Sequence, residues 1–328
     1  MNNVQEILSH WPVIFSGFGD NSLIAGSPNR TENRFLFHDE EGIFYIAEGY
    51  SPRKQQYQIR QNRLLEFLAE NLVPGIHPFY RTLSGEHGVL SGRLFWQIKP
   101  YIEAEKIPRE TLGERADFGR LWADFLLQMK TVVDRSIEPP PMPEQPFFMA
   151  DFLPVLQRHA ERKMPEITDR LQEIAQRLIP FFKWERKADL TLAHGDFHPG
   201  NILMGQGMIR VVIDWEFAGA KFPGYDMALL IGCLAMDHPD NLFSPAVCAL
   251  RNTLYANRYL PDDAWERLPQ MIAATRLGWL GEWLTLEDKA LVAQELELIS
   301  ILLDGDFAKE STLKGWTPVN NMPDFKTM

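Results

Sequence analysis

Three oxygen-bearing side chains stand at a spacing suited to phosphoryl transfer onto a hydroxyl group. Asp196 follows a short β-prone run, Asn201 lies five positions later, and Asp214 lies thirteen positions beyond Asn201. Such a transfer needs a carboxylate that orients the acceptor hydroxyl and accepts its proton, together with oxygen ligands that hold Mg²⁺ against the phosphates of ATP. A short turn between strands would bring the three groups to one end of a local sheet, so the pattern predicts this chemistry.

The sequence around these groups resembles the aminoglycoside phosphotransferase and choline kinase family, which is itself similar to protein kinases. Residues 194–201 read HGDFHPGN and match the family pattern H-G-D-x-H-x-x-N, and residues 212–216 read VIDWE and match I-D-[FW]-E. A later aspartate that opens a helix is matched by Asp226. The two-lobed order of the family covers about residues 20–300.

The resemblance implies a role for each matched residue. Asp196 is expected to be the catalytic base, and Asn201 and Asp214 are expected to bind Mg²⁺. The remaining matched residues are expected to support the site, and they are His194, His198, Glu216 and Asp226. For His198, contact with the acceptor and a structural hydrogen bond within the loop both stay open.

The first hundred residues have the pattern of a small sheet with one helix. Residues 34–37 and 43–47 flank a polar turn and predict a hairpin, and residues 89–90 and 94–98 predict a second hairpin. Helical spacing from about residue 53 to residue 71 predicts a helix with one buried face, formed by Tyr57, Gln61, Leu64, Leu65 and Leu68. Helical patterns dominate after about residue 105. They are interrupted by β-prone runs at residues 190–193, 202–204 and 208–213.

This order of elements, with the resemblance, predicts an α+β protein with the two-lobed fold of protein kinases. The small β-rich N-lobe would comprise residues 1–100 and cover the nucleotide, and the larger, mainly helical C-lobe would comprise residues 101–328. A hinge is expected at about residues 99–104, where Lys99 and Tyr101 are expected beside the nucleotide.

The third strand of the N-lobe departs from the family. The resemblance implies a lysine there that contacts the phosphates and pairs with a glutamate on the following helix. Glu48 occupies the lysine position and Gln61 the glutamate position, whereas Ile46 is expected to cover the adenine. We therefore predict a hydrogen bond between Glu48 and Gln61. If this alignment fails, a nearby basic residue must take the lysine role, and the candidates are Arg34, Arg53 and Lys54.

A glycine-containing loop over the phosphates is expected before the strand that starts near residue 34. Residues 26–33 are the preferred segment because they directly precede that strand, and Ser27 and Asn29 would then lie near the nucleotide. Residues 17–19 compete for the same role, although an ordinary turn explains them equally well.

Composition restricts the partners and the location. The net charge of −11 argues against nucleic acid as a partner and slightly favours cationic small molecules. The longest apolar run, residues 227–236, is about half of the ~20 residues that a membrane span needs, and residues 1–15 show no signal peptide. The two cysteines, Cys233 and Cys248, have no metal-ligand spacing and fit a reduced, cytoplasmic setting.

These expectations converge on an ATP- and Mg²⁺-dependent kinase that phosphorylates a hydroxyl of a small molecule. The residues at positions 48 and 61 leave a second hypothesis open, a pseudokinase that binds nucleotide or a partner and acts as a regulator. A protein Ser/Thr kinase is a third hypothesis. The acceptor and the choice between ATP and GTP stay open, because specificity lies in variable helices. Trp279 and Trp283 could enclose a cationic acceptor, although a core-facing stripe is favoured.

Overall fold

The computed structural model describes residues 2–24, 31–138, 140–142 and 145–304. These residues divide into two structural units. The first unit contains the described residues of Met1–Glu105, Val132–Glu144 and Leu203–Glu216. The second unit contains those of Lys106–Thr131, Gln145–Ile202 and Phe217–Met328.

The first unit is built on a five-stranded antiparallel sheet with the order β1-β2-β3-β5-β4. Its strands are β1 (Phe15–Phe18), β2 (Asn33–Asp39), β3 (Phe44–Tyr50), β4 (Val89–Ser91) and β5 (Leu94–Pro100). Both predicted hairpins, β2–β3 and β4–β5, are confirmed. Strand β1 was not predicted. Gly17 lies within β1, where a Cβ would come 2.8 Å from Nε2 of His38.

Alternate residues of these strands build two apolar faces. One face forms a buried cluster with helix α1 (Asn2–Leu8), and its sheet members are Phe35, Phe37, Tyr45, Ala47, Trp96 and Ile98. The opposite face carries Leu36 and Ile46, which pack with Ile24 and with the half-buried Tyr101. Both faces of the sheet are therefore apolar. Helix α1 covers one face, and the other face carries the smaller apolar cluster.

Helix α2 (Gln55–Glu70) confirms the helical spacing found in the sequence. It is fixed by Asn62, whose fully buried amide accepts from the N–H of Phe79 at 2.7 Å and donates to the carbonyl oxygen of Phe79 at 3.2 Å. The same amide nitrogen lies 3.1 Å from Nδ1 of His87, and Gln97 donates to the carbonyl of His87 at 2.9 Å. These bonds satisfy the buried amide of Asn62 and the backbone groups of Phe79.

We expect Asn62→Ala to destabilise the protein by about 2–3 kcal/mol, because it leaves the N–H and C=O of Phe79 buried without their partner. Urea denaturation would measure the change. Asn71→Ala is the matched control, since its amide donates to the carbonyl of Phe67 at an exposed helix end and should cost within about 0.5 kcal/mol. Equal losses in the two variants would contradict the role given to Asn62.

A third hairpin of the first unit comes from far along the chain. Strands β7 (Ile202–Gly205) and β8 (Met208–Val212) are connected through Gln206 and Gly207, which have φ of 54° and 71°. Positive φ at both positions is typical of the tight turn that joins twisted antiparallel strands. The N–H of Val212 donates to the carbonyl of Gly75 at 2.9 Å, which fixes the end of β8 to the segment that follows α2.

The second unit is mainly helical, as expected from the sequence after about residue 105. Its small sheet pairs β6 (Thr191–Ala193) with β9 (Gly219–Lys221) in antiparallel fashion. The helices are α3 (Ala116–Arg135, whose last turn belongs to the first unit), α4 (Met149–Lys163), α5 (Thr168–Glu185), α6 (Tyr225–Asp237), α7 (Pro245–Ala256), α8 (Asp262–Trp265), α9 (Leu268–Leu286) and α10 (Lys289–Leu303).

Helix α6 is buried from Tyr225 to Ala235, which confirms that its apolar run is core. Beside it, Arg276 of α9 donates to Glu295 of α10 at 2.9 Å, and both side chains are buried. The indole of Trp283 donates to the same carboxylate at 3.0 Å, so the buried charges are paired and hydrogen-bonded. In the described part of the chain, no helix combines the length and apolar character required to cross a bilayer.

Candidate active site

The loop between β6 and β7 carries the HGDFHPGN motif and is fixed by a carboxylate from α6. Asp226, in the first turn of α6, accepts from the N–H of His194 at 2.7 Å and from the N–H of Gly195 at 2.8 Å. Burial raises the pKa of Asp226, and the nearby His194 and the two N–H groups oppose that rise. The start of the loop is therefore fixed from outside the motif.

Glycine is required at position 195 for two reasons. Its φ is +86°, a conformation that side chains rarely adopt, and a Cβ would overlap the carbonyl oxygen of Phe217. The buried ammonium of Lys221 donates to that same carbonyl at 2.7 Å. The close approach of backbone to backbone therefore explains the second residue of the motif.

His194 is fully buried and orients the next catalytic candidate. Its Nδ1 accepts from the backbone N–H of Asp196 at 3.1 Å. His194 thus supports the backbone that presents the Asp196 side chain.

Asp196 and Asn201 form the centre of the loop. The amide nitrogen of Asn201 donates to the carboxylate Oδ2 of Asp196 at 2.9 Å and to its carbonyl oxygen at 3.0 Å. Both side chains are largely buried, with 8% and 5% of their residue surface exposed. Because both bonds use the amide nitrogen, the amide oxygen of Asn201 is left as a ligand group.

His198 stands at the more exposed side of the same loop. Its Nδ1 accepts from the N–H of Gly200 at 3.1 Å, and its Nε2 lies 3.6 Å from Oδ2 of Asp196. The ring meets the half-buried Trp279 edge to face at 5.6 Å. The predicted structural hydrogen bond within the loop is therefore present, and the ring also lies beside the carboxylate.

Asp214 belongs to the first unit and has an unusual backbone. It follows β8 with φ of +62°, a conformation that asparagine and aspartate tolerate better than most residues. The indole of Trp215 donates to the carbonyl of Val212 at 2.8 Å, and the hydroxyl of Tyr57 donates to the carbonyl of Glu216. The segment that carries Asp214 is therefore fixed both to β8 and to α2.

Glu48 is buried on β3, but Gln61 is not its partner. Oε1 of Glu48 lies 3.0 Å from Nε of Arg34 and 3.2 Å from Nζ of Lys99, and Oε2 accepts from the hydroxyl of Tyr50 at 2.6 Å. The predicted Glu48–Gln61 hydrogen bond is wrong for the described structure. Gln61 is buried as its helical position indicated, but the two strands that flank β3 supply cations that reach the carboxylate first.

The charge state of Glu48 follows from these partners. Burial pushes the pKa of Glu48 upward, but Lys99, Arg34 and the Tyr50 hydroxyl outweigh it and hold the pKa below its usual value. Burial also raises the pKa of Tyr50 well above its usual value, and the charges of Glu48 and Asp214 act in the same direction. Glu48 is thus a carboxylate at neutral pH, and Asp214 lies within electrostatic range of Tyr50.

We expect Glu48→Gln to lower the free energy of unfolding by about 1–3 kcal/mol at pH 7, since it removes charged hydrogen bonds. A depressed pKa in the folded state stabilises it fully above the unfolded pKa of about 4.3 and progressively less as pH falls through the folded pKa. The difference between parent and variant should therefore shrink below about pH 4.3. Denaturation series at several pH values would measure it, and a difference independent of pH would contradict the charged pair.

The other residues predicted near the nucleotide stay predictions, and the structure shows where several of them lie. Ile46 and Tyr101 belong to the apolar cluster on the second face of the sheet, and Lys99 lies beside them on β5. Ser27 and Asn29 lie outside the described residues. Of the competing segment 17–19, residues 17 and 18 belong to β1.

Two tyrosines that support the site are not predicted by the sequence motifs. Tyr50 lies two positions after Glu48 and therefore on the same face of β3, so strand alternation could have indicated it. Helical spacing predicts only that Tyr57 lies on the inward face of α2, and nothing in the sequence joins its hydroxyl to the carbonyl of Glu216.

The fold belongs to the kinase-like class. A small antiparallel sheet precedes a larger helical region, and the fold-class prediction is confirmed by solved structures. The chain is similar to amicoumacin kinase hAmiN in complex with AMP-PNP, Ca²⁺ and Ami, with TM-score 0.67 and 14% identity, covering 97% of this chain and 94% of that one. It is also similar to a thermostable mutant of aminoglycoside phosphotransferase APH(4)-Ia with ADP and hygromycin B, with TM-score 0.62 and 15% identity, covering 88% and 94%.

Sequence comparison gives the family. The model of the phosphotransferase enzyme family, APH, matches residues 26–271, so this chain belongs to that family and is a kinase. A curated relative is the homoserine kinase of Chelativorans sp. (strain BNC1), which is 26% identical over 295 residues. The match covers 87% of this chain and 86% of the relative.

Proposed function

We propose that this protein is an ATP- and Mg²⁺-dependent kinase that transfers the γ-phosphoryl group to a hydroxyl of a small molecule. The observation that carries the proposal is the Asp196 carboxylate, held by Asn201 in a loop whose backbone is fixed by Asp226. The similarity to kinases seen with AMP-PNP or ADP supports the choice of an adenine nucleotide.

The residues proposed as metal ligands have suitable chemistry. Asn201 uses its amide nitrogen on Asp196 and so offers an oxygen, and Asp214 offers a carboxylate. No cluster of three or more His, Cys, Asp or Glu side chains with metal-binding geometry occurs among the residues described. Mg²⁺ does not need one, because it is usually held by one or two carboxylates together with substrate phosphates. When bound, it would neutralise charge on those phosphates.

The second face of the sheet suits a nucleoside. Ile24, Leu36, Ile46 and Tyr101 give an apolar surface, and Ile46 is paired in the sheet with Lys99. An apolar surface next to a cation matches a base followed by phosphates. We therefore assign Ile46 and Tyr101 to the base and Lys99 to the charged part of the nucleotide.

The chain supplies positioning and one proton acceptor. Asp196 would orient the acceptor hydroxyl and accept its proton as the oxygen attacks, and Asn201 holds the carboxylate in place. His198, at 3.6 Å from the same carboxylate, lies where it can contact either Asp196 or the acceptor. The half-buried Trp279 beside it offers an aromatic wall.

The acceptor class follows from the relatives and from the charge. The curated relative acts on homoserine by name, so we propose a small hydroxylated metabolite, with homoserine the first candidate. The net charge of −11 disfavours polyanionic acceptors such as nucleic acid and is compatible with cationic ones. The free thiols of Cys233 and Cys248 are compatible with a cytoplasmic location, which stays a prediction.

Two measurements test the proposal. Melting temperature with ATP should rise further when Mg²⁺ is added, because a ligand that binds the folded state stabilises it. A coupled assay for ADP across hydroxylated metabolites, starting with homoserine and aminoglycosides, should then identify the acceptor. A protein that binds ATP but releases no ADP with any of the acceptors would favour the regulator. A protein that does not bind ATP would exclude both functions.

A further inference from the structure

Three charged side chains from adjacent strands meet on the second face of the sheet. We propose that Arg34 and Lys99, held in place by Glu48, form the phosphate-binding site of the first unit and replace the lysine that the family carries on β3. The inference rests on the proposed nucleotide-dependent function. It adds Arg34 as a phosphate ligand and gives Glu48 a positioning role.

Sheet register explains why the three side chains meet. Arg34 on β2 lies directly opposite Glu48 on β3, and Gln97 on β5 lies opposite Glu48 from the other side. Lys99 stands two positions beyond Gln97 and therefore on the same face as Glu48. The carboxylate accordingly sits between two cations that belong to different strands.

The hydrogen-bonding groups of the carboxylate are used by the protein itself. Arg34 and Lys99 both approach Oε1, at 3.0 and 3.2 Å, and the hydroxyl of Tyr50 donates to Oε2. Only 6% of the Glu48 side chain is exposed. A carboxylate buried in this way does not face the ligand, so the expected repulsion between Glu48 and phosphate is removed by its partners.

The carboxylate of Glu48 does not neutralise both Arg34 and Lys99. Two positive charges face one negative charge, and 27% of the Arg34 side chain and 19% of the Lys99 side chain stay exposed. The Nε of Arg34 faces Oε1 of Glu48 at 3.0 Å, and its Nη1 donates to the carbonyl of Ile24 at 3.0 Å. An excess positive charge carried by a partly exposed arginine and a partly exposed lysine suits an anion with several acceptor oxygens.

The surroundings indicate which anion. Ile46 precedes Glu48 by two residues, or about 7 Å along the strand, and lies in the apolar cluster with Leu36 and Ile24. The same face therefore changes from apolar to cationic over the distance that separates a purine base from its phosphates. Asp214, the proposed Mg²⁺ ligand, belongs to the same structural unit as this sheet. A nucleoside polyphosphate with its metal matches this order.

Titration calorimetry with adenosine, AMP, ADP and a non-hydrolysable ATP analogue, all with Mg²⁺, tests the inference. Arg34→Gln and Lys99→Met should each weaken binding of ADP and of the ATP analogue by about tenfold or more and leave adenosine within about twofold, because only phosphates meet these cations. Arg34→Lys is the matched control. It keeps the charge and should recover part of the loss.

The possible results separate this inference from the proposed function. A parent protein that binds neither adenosine nor the ATP analogue overturns both. A parent that binds the analogue, with the ratio of analogue to adenosine affinity unchanged in Arg34→Gln and Lys99→Met, overturns the inference alone. Circular dichroism would show whether Arg34→Gln folds. If it does not, Lys99→Met and Arg34→Lys provide the test. Equal losses of adenosine and polyphosphate affinity in Lys99→Met would count against the inference.

Discussion

Asp196→Asn should lower the turnover number by about 10²-fold or more while Mg·ATP affinity stays within about twofold of the parent. The factor is the usual contribution of a positioned general base and corresponds to about 2.7 kcal/mol of transition-state free energy. Asparagine keeps the shape of the side chain and an oxygen that can still accept from Asn201, so the loop should retain its structure. Steady-state kinetics on the identified acceptor, together with calorimetry, measure the two quantities.

A control for this experiment stands close by in the sequence. Asp189 is exposed just before β6, and Asp189→Asn removes the same charge without touching the loop. Its turnover number should equal that of the parent. If Asp196→Asn also turned over at the parental rate, Asp196 would not be the base.

Asp214→Asn should remove the part of ATP affinity that depends on Mg²⁺. In the parent, Mg²⁺ should strengthen ATP binding, and in the variant the affinities with and without Mg²⁺ should become nearly equal. We expect a loss of at least about tenfold, since even residues behind the ligands of a metal typically change its affinity by 10–100-fold. Calorimetry at fixed ATP analogue with and without Mg²⁺ gives the comparison.

The backbone at Asp214 determines which substitution is informative. Its φ of +62° is tolerated by asparagine, whereas alanine would add strain to the loss of the carboxylate. Asp214→Asn therefore isolates the charge, and its melting temperature should stay near that of the parent. An undiminished Mg²⁺ effect in a folded Asp214→Asn protein would exclude Asp214 as a metal ligand.

The two predictions separate binding from chemistry. Loss of Asp196 should affect turnover and spare nucleotide binding, and loss of Asp214 should affect Mg²⁺-dependent binding first. The residues lie in different structural units, so a general loss of stability in one unit would not reproduce both patterns.

The local structure of the loop could be predicted from the sequence because its contacts are short in sequence. Asn201 bonds to Asp196 five residues earlier, and His194 bonds to the N–H of Asp196 two residues later. A strand, a glycine with positive φ and a tight turn determine such contacts with little help from the rest of the chain. Helix α2 and the two hairpins were likewise predictable, since periodicity and turn residues are local signals.

The partners of Glu48 were decided by the tertiary structure alone. Strand alternation shows which face Glu48 occupies, but the order β2-β3-β5 and its register decide that Arg34 and Lys99 lie on either side of it. Helical spacing correctly indicated that Gln61 is buried, and it carried no information on which group Gln61 meets. A sequence pattern thus determined which residues face inward, whereas the contacts between distant strands depend on a register that the whole sheet sets.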